Sequence, residues 1–203
     1  MTALPHHIAL ARKAKLQTFI PLGKYFQAEE KALYKSEYHN GKIIKMAGGS
    51  YNHDSIATKC THLMLEFVDK NDLLYAINGS DLKIRIETHD RVLYADALVI
   101  SEKPIFYENR TDTITNPRII VEVLSKSTAQ YDMSEKFDFY RTLDSFKEYV
   151  LIHQDRKHVV VFTKQNDDAW LLRDYIGNEA VAILHALHDC SLALQRLYKG
   201  LEL

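Results

Sequence analysis

The sequence predicts an α/β domain of the α+β kind, a mixed sheet flanked by helices. Three observations carry that expectation. Runs with strand patterning, such as "RVLYADALVI" and "RIIVEVLS", are mixed with runs of helical periodicity. Several strands follow one another in hairpin fashion, while "RIIVEVLS" leads into a strand-to-helix crossover. Finally, 203 residues, 46% of them hydrophobic, are enough for one sizeable core. No internal repeat, low-complexity tract or Pro/Gly/Ser-rich linker divides them. A single domain over 1–203 is expected, with 1–23 as an N-terminal helical extension.

The elements follow in order. "MTALPHHIALARKAKLQTF" has neither a long apolar stretch nor a small-residue cleavage site, and reads as a short amphipathic helix rather than a signal peptide. "GKYFQAEEKALYKS" reads as a helix. "EYHNGKIIKMAGG" reads as a hairpin, with Asn40-Gly41 supplying the positive φ angles of a tight turn. "HDSIATKCTHLMLEFVDKN" places Ile56, Leu63 and Phe67 at near-helical spacing. Strands are expected at "LLYAIN", "DLKIRIE", "RVLYADALVI" and "RIIVEVLS", then a helix from Ser127 to about Leu143. "KEYVLIH", "KHVVVFT" and "AWLLRDY" read as further strands, and "LALQRLYKG" as a closing helix.

Composition excludes some functions. A formal net charge of −1 rules out a globally basic polyanion binder, so nucleic acid would have to meet a local basic patch. No apolar run approaches the length needed to span a bilayer. Cys60 and Cys190 are too few for a disulfide framework or a cysteine zinc site, and suit a reducing cytoplasm. His185 and His188 share a face if a helix runs there, but no acid stands at ligand spacing, and they read as surface histidines.

The anomaly lies between Arg118 and Arg141. In "RIIVEVLS" both faces are apolar except at Glu122, which shares its face with Ile120 and Leu124; such a strand is covered on both sides. In "RVLYADALVI", Asp96 is the only charge in the row Val92, Tyr94, Leu98 and Ile100. A buried carboxylate costs several kcal/mol unless it is compensated, and two together repel. A divalent cation is the simplest remedy, because Mg²⁺ and Mn²⁺ prefer hard carboxylate oxygens. On the following helix, Met133, Lys136, Phe137 and Tyr140 form the stripe expected to face the sheet. That points Lys136 toward Glu122, with Asp132 a turn back in a polar seam. The plain alternatives are a buried Glu122–Lys136 ion pair, a Lys136 head reaching out past Phe137, and Asp96 at a strand end in solvent.

These residues resemble the Uma2 family, whose members are assigned to the PD-(D/E)XK nuclease superfamily. The resemblance runs from about Lys24 to the C-terminal helix. It rests on "SEYHNGKIIKMAGGSYNH", "GSDLKIRI", "YADALVI", "PRIIVEVLSKSTAQYDMSEKFDFYR" and "KEYVLIHQ". It implies a restriction-endonuclease-like core with Asp96 as the first motif acid and Glu122 as the second. Ala95 stands where a proline is usual, and Leu124 where the motif lysine is expected, so Lys136 would supply that function from the next helix. Ser125-Lys126-Ser127-Thr128 replaces a Ser-Pro-Ser-Thr loop, adding a positive charge. The resemblance also makes Glu37, His53, Asp81, Tyr140 and Gln154 site-lining. As plain residues, Glu37 would be a hairpin surface acid, His53 a helix cap with Asn52, and Asp81 a turn residue.

The implied activity is metal-dependent endonuclease hydrolysis of nucleic-acid phosphodiesters, DNA first among them. Asp96 and Glu122 would hold Mg²⁺ or Mn²⁺ with the Val123 carbonyl, and Lys136 would orient the attacking water or neutralise developing charge. Lys42, Lys45, Lys83, Arg85, Lys126 and Arg141 are the candidates for phosphate contacts. A symmetric homodimer would place two such sites on two strands. Two alternatives stay open: a catalytically silent module that binds nucleic acid or protein, and a structural domain whose charges form an ion-pair network.

Overall fold

Asn40 and Gly41 do what their dipeptide promises. Both have positive φ, 44° and 83°, and they join β1 (Ser36–His39) to β2 (Lys42–Lys45) in an antiparallel hairpin. In the computed structural model, which describes residues 18–167 and 169–203, α1 (Leu22–Glu29) precedes this hairpin. The helical extension expected over 1–23 therefore lies mostly outside the described residues. The helix expected over "GKYFQAEEKALYKS" is shorter than its sequence suggests. Tyr25 and Phe26 are the buried residues of α1, packed against Tyr38 and Val92 with Leu22 at the margin, whereas Leu33 is fully exposed. The Glu29 carboxylate turns back and accepts from the Ser36 N–H at 3.0 Å and hydroxyl at 2.6 Å. Strand pairing by Ser36–His39 overrides the helix propensity of the segment.

Two sheets face each other. The first has the order β2-β1-β5-β4-β7, with β4 at Lys83–Ile86, β5 at Arg91–Tyr94 and β7 at Thr113–Ile114. The second has the order β11-β10-β9-β8-β6-β3. Its strands are β3 (Tyr75–Gly79), β6 (Ala97–Ser101), β8 (Ile119–Leu124), β9 (Glu148–His153), β10 (His158–Lys164) and β11 (Trp170–Ile176). Its pairings are antiparallel except β8 with β9. Ile84, Ile86 and Leu93 from the first sheet pack with Leu98, Ile120, Leu124, Tyr149 and Leu151 from the second. The opposite face of the second sheet is covered by α2 (Tyr51–Lys70), whose Ile56, Cys60 and Met64 meet Val99, Val121, Val123 and Val150. Each such side chain contributes about 1.5–3 kcal/mol on burial. Strand β8 is thus apolar on both faces because both are covered.

The single strand expected over Arg91–Ile100 is a correction. It is two strands, β5 and β6, in different sheets, and the chain crosses between them at Ala95–Asp96. The crossing lets Leu93 and Leu98 enter the same core from opposite sides. The C-terminal region also differs. A hairpin of β12 (Val181–Leu184) and β13 (Cys190–Ala193) was not expected, and the closing helix shrinks to α5 (Leu194–Leu197). Alternation wins there: Cys190 and Leu192 are buried while Ser191 is exposed, the period of a strand.

The helix after β8 runs from α3 (Ala129–Tyr131) through a π-helical turn (Asp132–Lys136) into α4 (Phe137–Tyr140). The π turn widens the register by one residue. Met133, expected on the buried stripe, is 43% exposed, and Asp132 takes the inward position with Lys136 and Tyr140. Phe137 packs against Tyr149, Phe162 and Trp170. Among the described residues no helix is long and apolar enough to cross a membrane.

Candidate active site

Lys136 ends between the two sheets, 4% exposed. Its Nζ donates to Glu122 Oε1 at 2.9 Å and to the Tyr94 carbonyl at 3.0 Å. Glu37 Oε1 from β1 and Asp132 Oδ1 from its own helix each lie at 3.5 Å. Tyr140 donates to the same Glu122 oxygen at 3.1 Å. Glu37, placed in the hairpin by sequence, is buried rather than a surface acid. It bonds His39 Nε2 at 3.0 Å, and the Tyr131 hydroxyl donates to it at 3.5 Å.

Asp96 stands where the β6–β8 ladder stops. The paired register ends at Ala97 opposite Val121, and the next outward N–H of β8, on Val123, donates to Asp96 Oδ2 at 2.6 Å. The N–H and C=O of one strand residue point the same way, so the Val123 carbonyl shares that side. His53 Nε2 lies 3.2 Å from the same carboxylate oxygen, and both side chains are about one-fifth exposed, at 20% and 18%. Ser50, rather than Asn52 and His53, caps α2: its Oγ accepts from the His53 N–H and donates to Gln154 Oε1 at 2.7 Å.

Acids outnumber bases in this cluster. Burial pushes the Glu122 carboxyl well above its usual range; Lys136 opposes that shift, while the charges of Asp132 and Asp96 add to it. Burial likewise raises Asp132. Burial alone would favour a neutral amine at Lys136, but Glu122, Glu37 and Asp132 outweigh it and hold the ammonium well above its ordinary value. Against its own burial, Glu37 is held below the usual range by Lys136 and then His39. The hydrogen bond to Asp96 raises His53.

The structure thus gathers Glu37, Glu122, Lys136 and Tyr140 into one cluster, with Asp96, Val123 and His53 at its edge and Gln154 beyond Ser50. The rest fall elsewhere. Asp81 is exposed and pairs with Lys35 at 2.7 Å. Lys83 is buried against Asp112 at 2.9 Å. Arg85 donates to Asp90 and to the Arg91 carbonyl. Lys42, Lys45 and Lys126 are exposed, Lys45 lying over the Tyr34 ring, and Arg141 pairs with Asp138 at 3.2 Å. Sequence reasoning left out Asp132 as a member of the site, although its i,i+4 spacing from Lys136 was the signal. Nothing local marks Tyr131, His39 or the Tyr94 carbonyl. His185, read as lacking an acid, pairs with Asp189 at 2.5 Å.

Among the described residues no group of three or more His, Cys, Asp or Glu side chains is placed to hold a metal ion. The donor set just before β6 and on β8 is smaller: two carboxylates and a main-chain carbonyl. All are hard oxygens, and the excess of acids at raised Glu122 calls for positive charge, so the residues fit a hard divalent cation that keeps several waters.

The mixed α+β architecture is that of a nuclease-like fold. A solved structure from Anabaena variabilis, described as "a putative nuclease belonging to DUF820", superposes with a TM-score of 0.70 at 18% identity, covering 88% of this chain and 97% of that one. The model of the Uma2 family, described as "Putative restriction endonuclease", matches residues 22–195, and the chain belongs to that family. Two relatives from Synechocystis sp. are similar. "Uncharacterized protein sll1609" is 40% identical over 158 residues, 77% of this chain and 88% of that protein. "Uncharacterized protein slr1290" is 32% identical over 178 residues, covering 88% and 90%.

Proposed function

We propose that this protein is a divalent-metal-dependent endonuclease that hydrolyses phosphodiester bonds of DNA. The observation that carries the reading is the meeting of Lys136 with Glu122 at 2.9 Å, while Asp96 is tied to the adjoining Val123 N–H at 2.6 Å. Asp96, Glu122 and the Val123 carbonyl are the residues that would hold Mg²⁺ or Mn²⁺. Such a cation supplies Lewis acidity, making water a better nucleophile and balancing charge on the phosphate oxygens. Lys136 supplies a fixed ammonium that opposes the rise burial imposes on Glu122, and Tyr140 orients the same carboxyl group. Lys126, exposed just after β8, and Lys42, Lys45 and Arg141 are the free or surface cations available to the phosphate backbone. Lys83 and Arg85 serve internal ion pairs instead. Buried free Cys60 and Cys190 suit a cytoplasmic setting.

One observation favours a second reading. Glu122 and Lys136 are each only 4% exposed and already bonded to each other, as a module that binds nucleic acid without turnover would keep them. Two measurements separate the readings. Mn²⁺ raises the melting temperature of wild type and not of Glu122→Ala. Plasmid and single-stranded DNA are cleaved with Mg²⁺ or Mn²⁺ by wild type and not by Asp96→Asn. A metal shift without cleavage supports the silent module; an equal shift in wild type and Glu122→Ala removes the metal site.

A further inference from the structure

Strand β11 closes one side of the six-stranded sheet, and among the described residues nothing pairs with its outer edge. Its hydrogen-bonding direction follows from the bonds at its two ends. Gln165 N–H donates to the Ala169 carbonyl, and Gly177 N–H to the Lys157 carbonyl, in the register that sets Val161 opposite Arg173. Odd-numbered residues therefore bond to β10, and the N–H and C=O of Trp170, Leu172, Asp174 and Ile176 point outward.

Natural edges are guarded by shortness, lysine or proline. Two other edges here follow that rule: β2 carries Lys42 and Lys45, and β7 has only two residues. By contrast, β11 has seven residues, contains neither lysine nor proline, and exposes Leu171, Leu172 and Ile176 at 39%, 48% and 69%. Arg173 and Asp174 cancel, so the strand does not repel a copy of itself.

We propose that β11 is the seam of a two-fold dimer, pairing antiparallel with β11 of a second copy so that the sheet runs on through both subunits. In an antiparallel pair, opposed residues share both face and bonding direction, which leaves few symmetric registers. An axis at Arg173 sets two guanidinium groups against each other and Leu172 against a carboxylate. An axis at Leu172 leaves Ile176 uncovered. An axis at Asp174 sets Leu172 opposite Ile176 of the partner subunit on one face, and Arg173 opposite the ring of Tyr175 of the partner subunit on the other. The two Asp174 carboxylates then meet, but each is already held by its own His158 at 2.6 Å. This last register is the one the strand supports.

Sedimentation equilibrium of the full chain at micromolar concentration gives a dimer mass. Leu172→Lys and Ile176→Lys, each with wild-type circular dichroism, give the monomer mass; Ile176 is exposed enough that its variant folds even if the other does not. Asp174→Cys forms an intersubunit disulfide on mild oxidation, since bonded opposed residues sit about 5.5 Å apart at Cα. Arg173→Cys does not, and Cys60 and Cys190 are buried and silent. A monomeric wild type overturns the proposal. So does a dimer unaffected by both lysines, or cross-linking at Arg173→Cys in place of Asp174→Cys.

Discussion

Glu122 and Glu148 lie on neighbouring strands of one sheet and are almost equally buried, at 4% and 0% exposure, yet they satisfy that burial in opposite ways. Glu148 is surrounded by neutral donors. One oxygen accepts from the Thr163 hydroxyl and the His185 N–H, both at 2.9 Å, and the other from the Ala186 N–H at 3.0 Å. It pins the turn between β12 and β13 to the sheet. Glu122 has an ammonium and a phenol on one oxygen, with Glu37 and Asp132 around the same ammonium. Burial raises both carboxyls. The difference teaches that a buried acid is structural when backbone donors match it, and available for chemistry when its surroundings are short of positive charge.

The largest expected effect tests that shortage. Lys136→Met leaves Glu122, Glu37 and Asp132 without their ammonium, and should cost about 3–5 kcal/mol at neutral pH in urea unfolding. The pH dependence has a definite sign. Glu122 and Asp132 have folded values raised above their unfolded ones. Their contribution to stability is therefore fully present below the unfolded carboxyl range and is lost as pH rises through the raised values. The variant should approach wild type in acid and diverge from it toward pH 7. A constant difference across that range would mean Lys136 is not the counter-charge of the cluster.

Next in size is a pair of matched substitutions. Glu148→Gln removes one of the acceptors three donors need and should cost about 1–3 kcal/mol, leaving any cleavage per folded molecule unchanged. Glu122→Gln keeps an oxygen for Lys136 and Tyr140 and removes a carboxylate that burial disfavours. Its stability at pH 7 should equal or exceed wild type, while the Mn²⁺ shift and cleavage disappear. The comparison breaks if the two variants exchange behaviours.

How much of this was legible depends on whether the cause is local. Alternation exposed Glu122 as one acid among Ile120 and Leu124, and helical spacing put Lys136 on the right side of its helix. The turn at Asn40-Gly41 was readable because positive φ is a property of the residues themselves. Asp132 is not legible as a site residue, since an ordinary helix aims Met133 inward and only the π turn reverses that. Glu148 has the pattern of an ordinary strand residue: its partners, 15 to 38 positions away, belong partly to the β12–β13 hairpin. The split of Arg91–Ile100 between sheets was hidden for a similar reason. Each half alternates correctly, and only the second sheet shows that they diverge.

The smallest effect concerns a third solution to burial in the same sheet, where the group gives up its charge. His153, at the end of β9, stacks on His158 with ring centroids 4.6 Å apart. The Arg156 guanidinium lies 3.1 Å from its Nε2. A guanidinium can only donate, so Nε2 accepts and His153 is neutral. Burial, then Arg156 and His158, bring it down to about 4. With the folded value below the unfolded one of about 6.5, the unfolded chain binds the extra proton between them, and stability falls as pH drops across that window. His153→Gln retains an acceptor for Arg156 but cannot titrate. Its urea midpoint should lose less than wild type's between pH 7 and pH 4.5. Solvent around Arg156, whose side chain is 57% exposed, screens its share of the effect, so the gain is small. Equal losses would show that His153 is charged in the fold and that the Arg156 contact is not a hydrogen bond to a neutral ring.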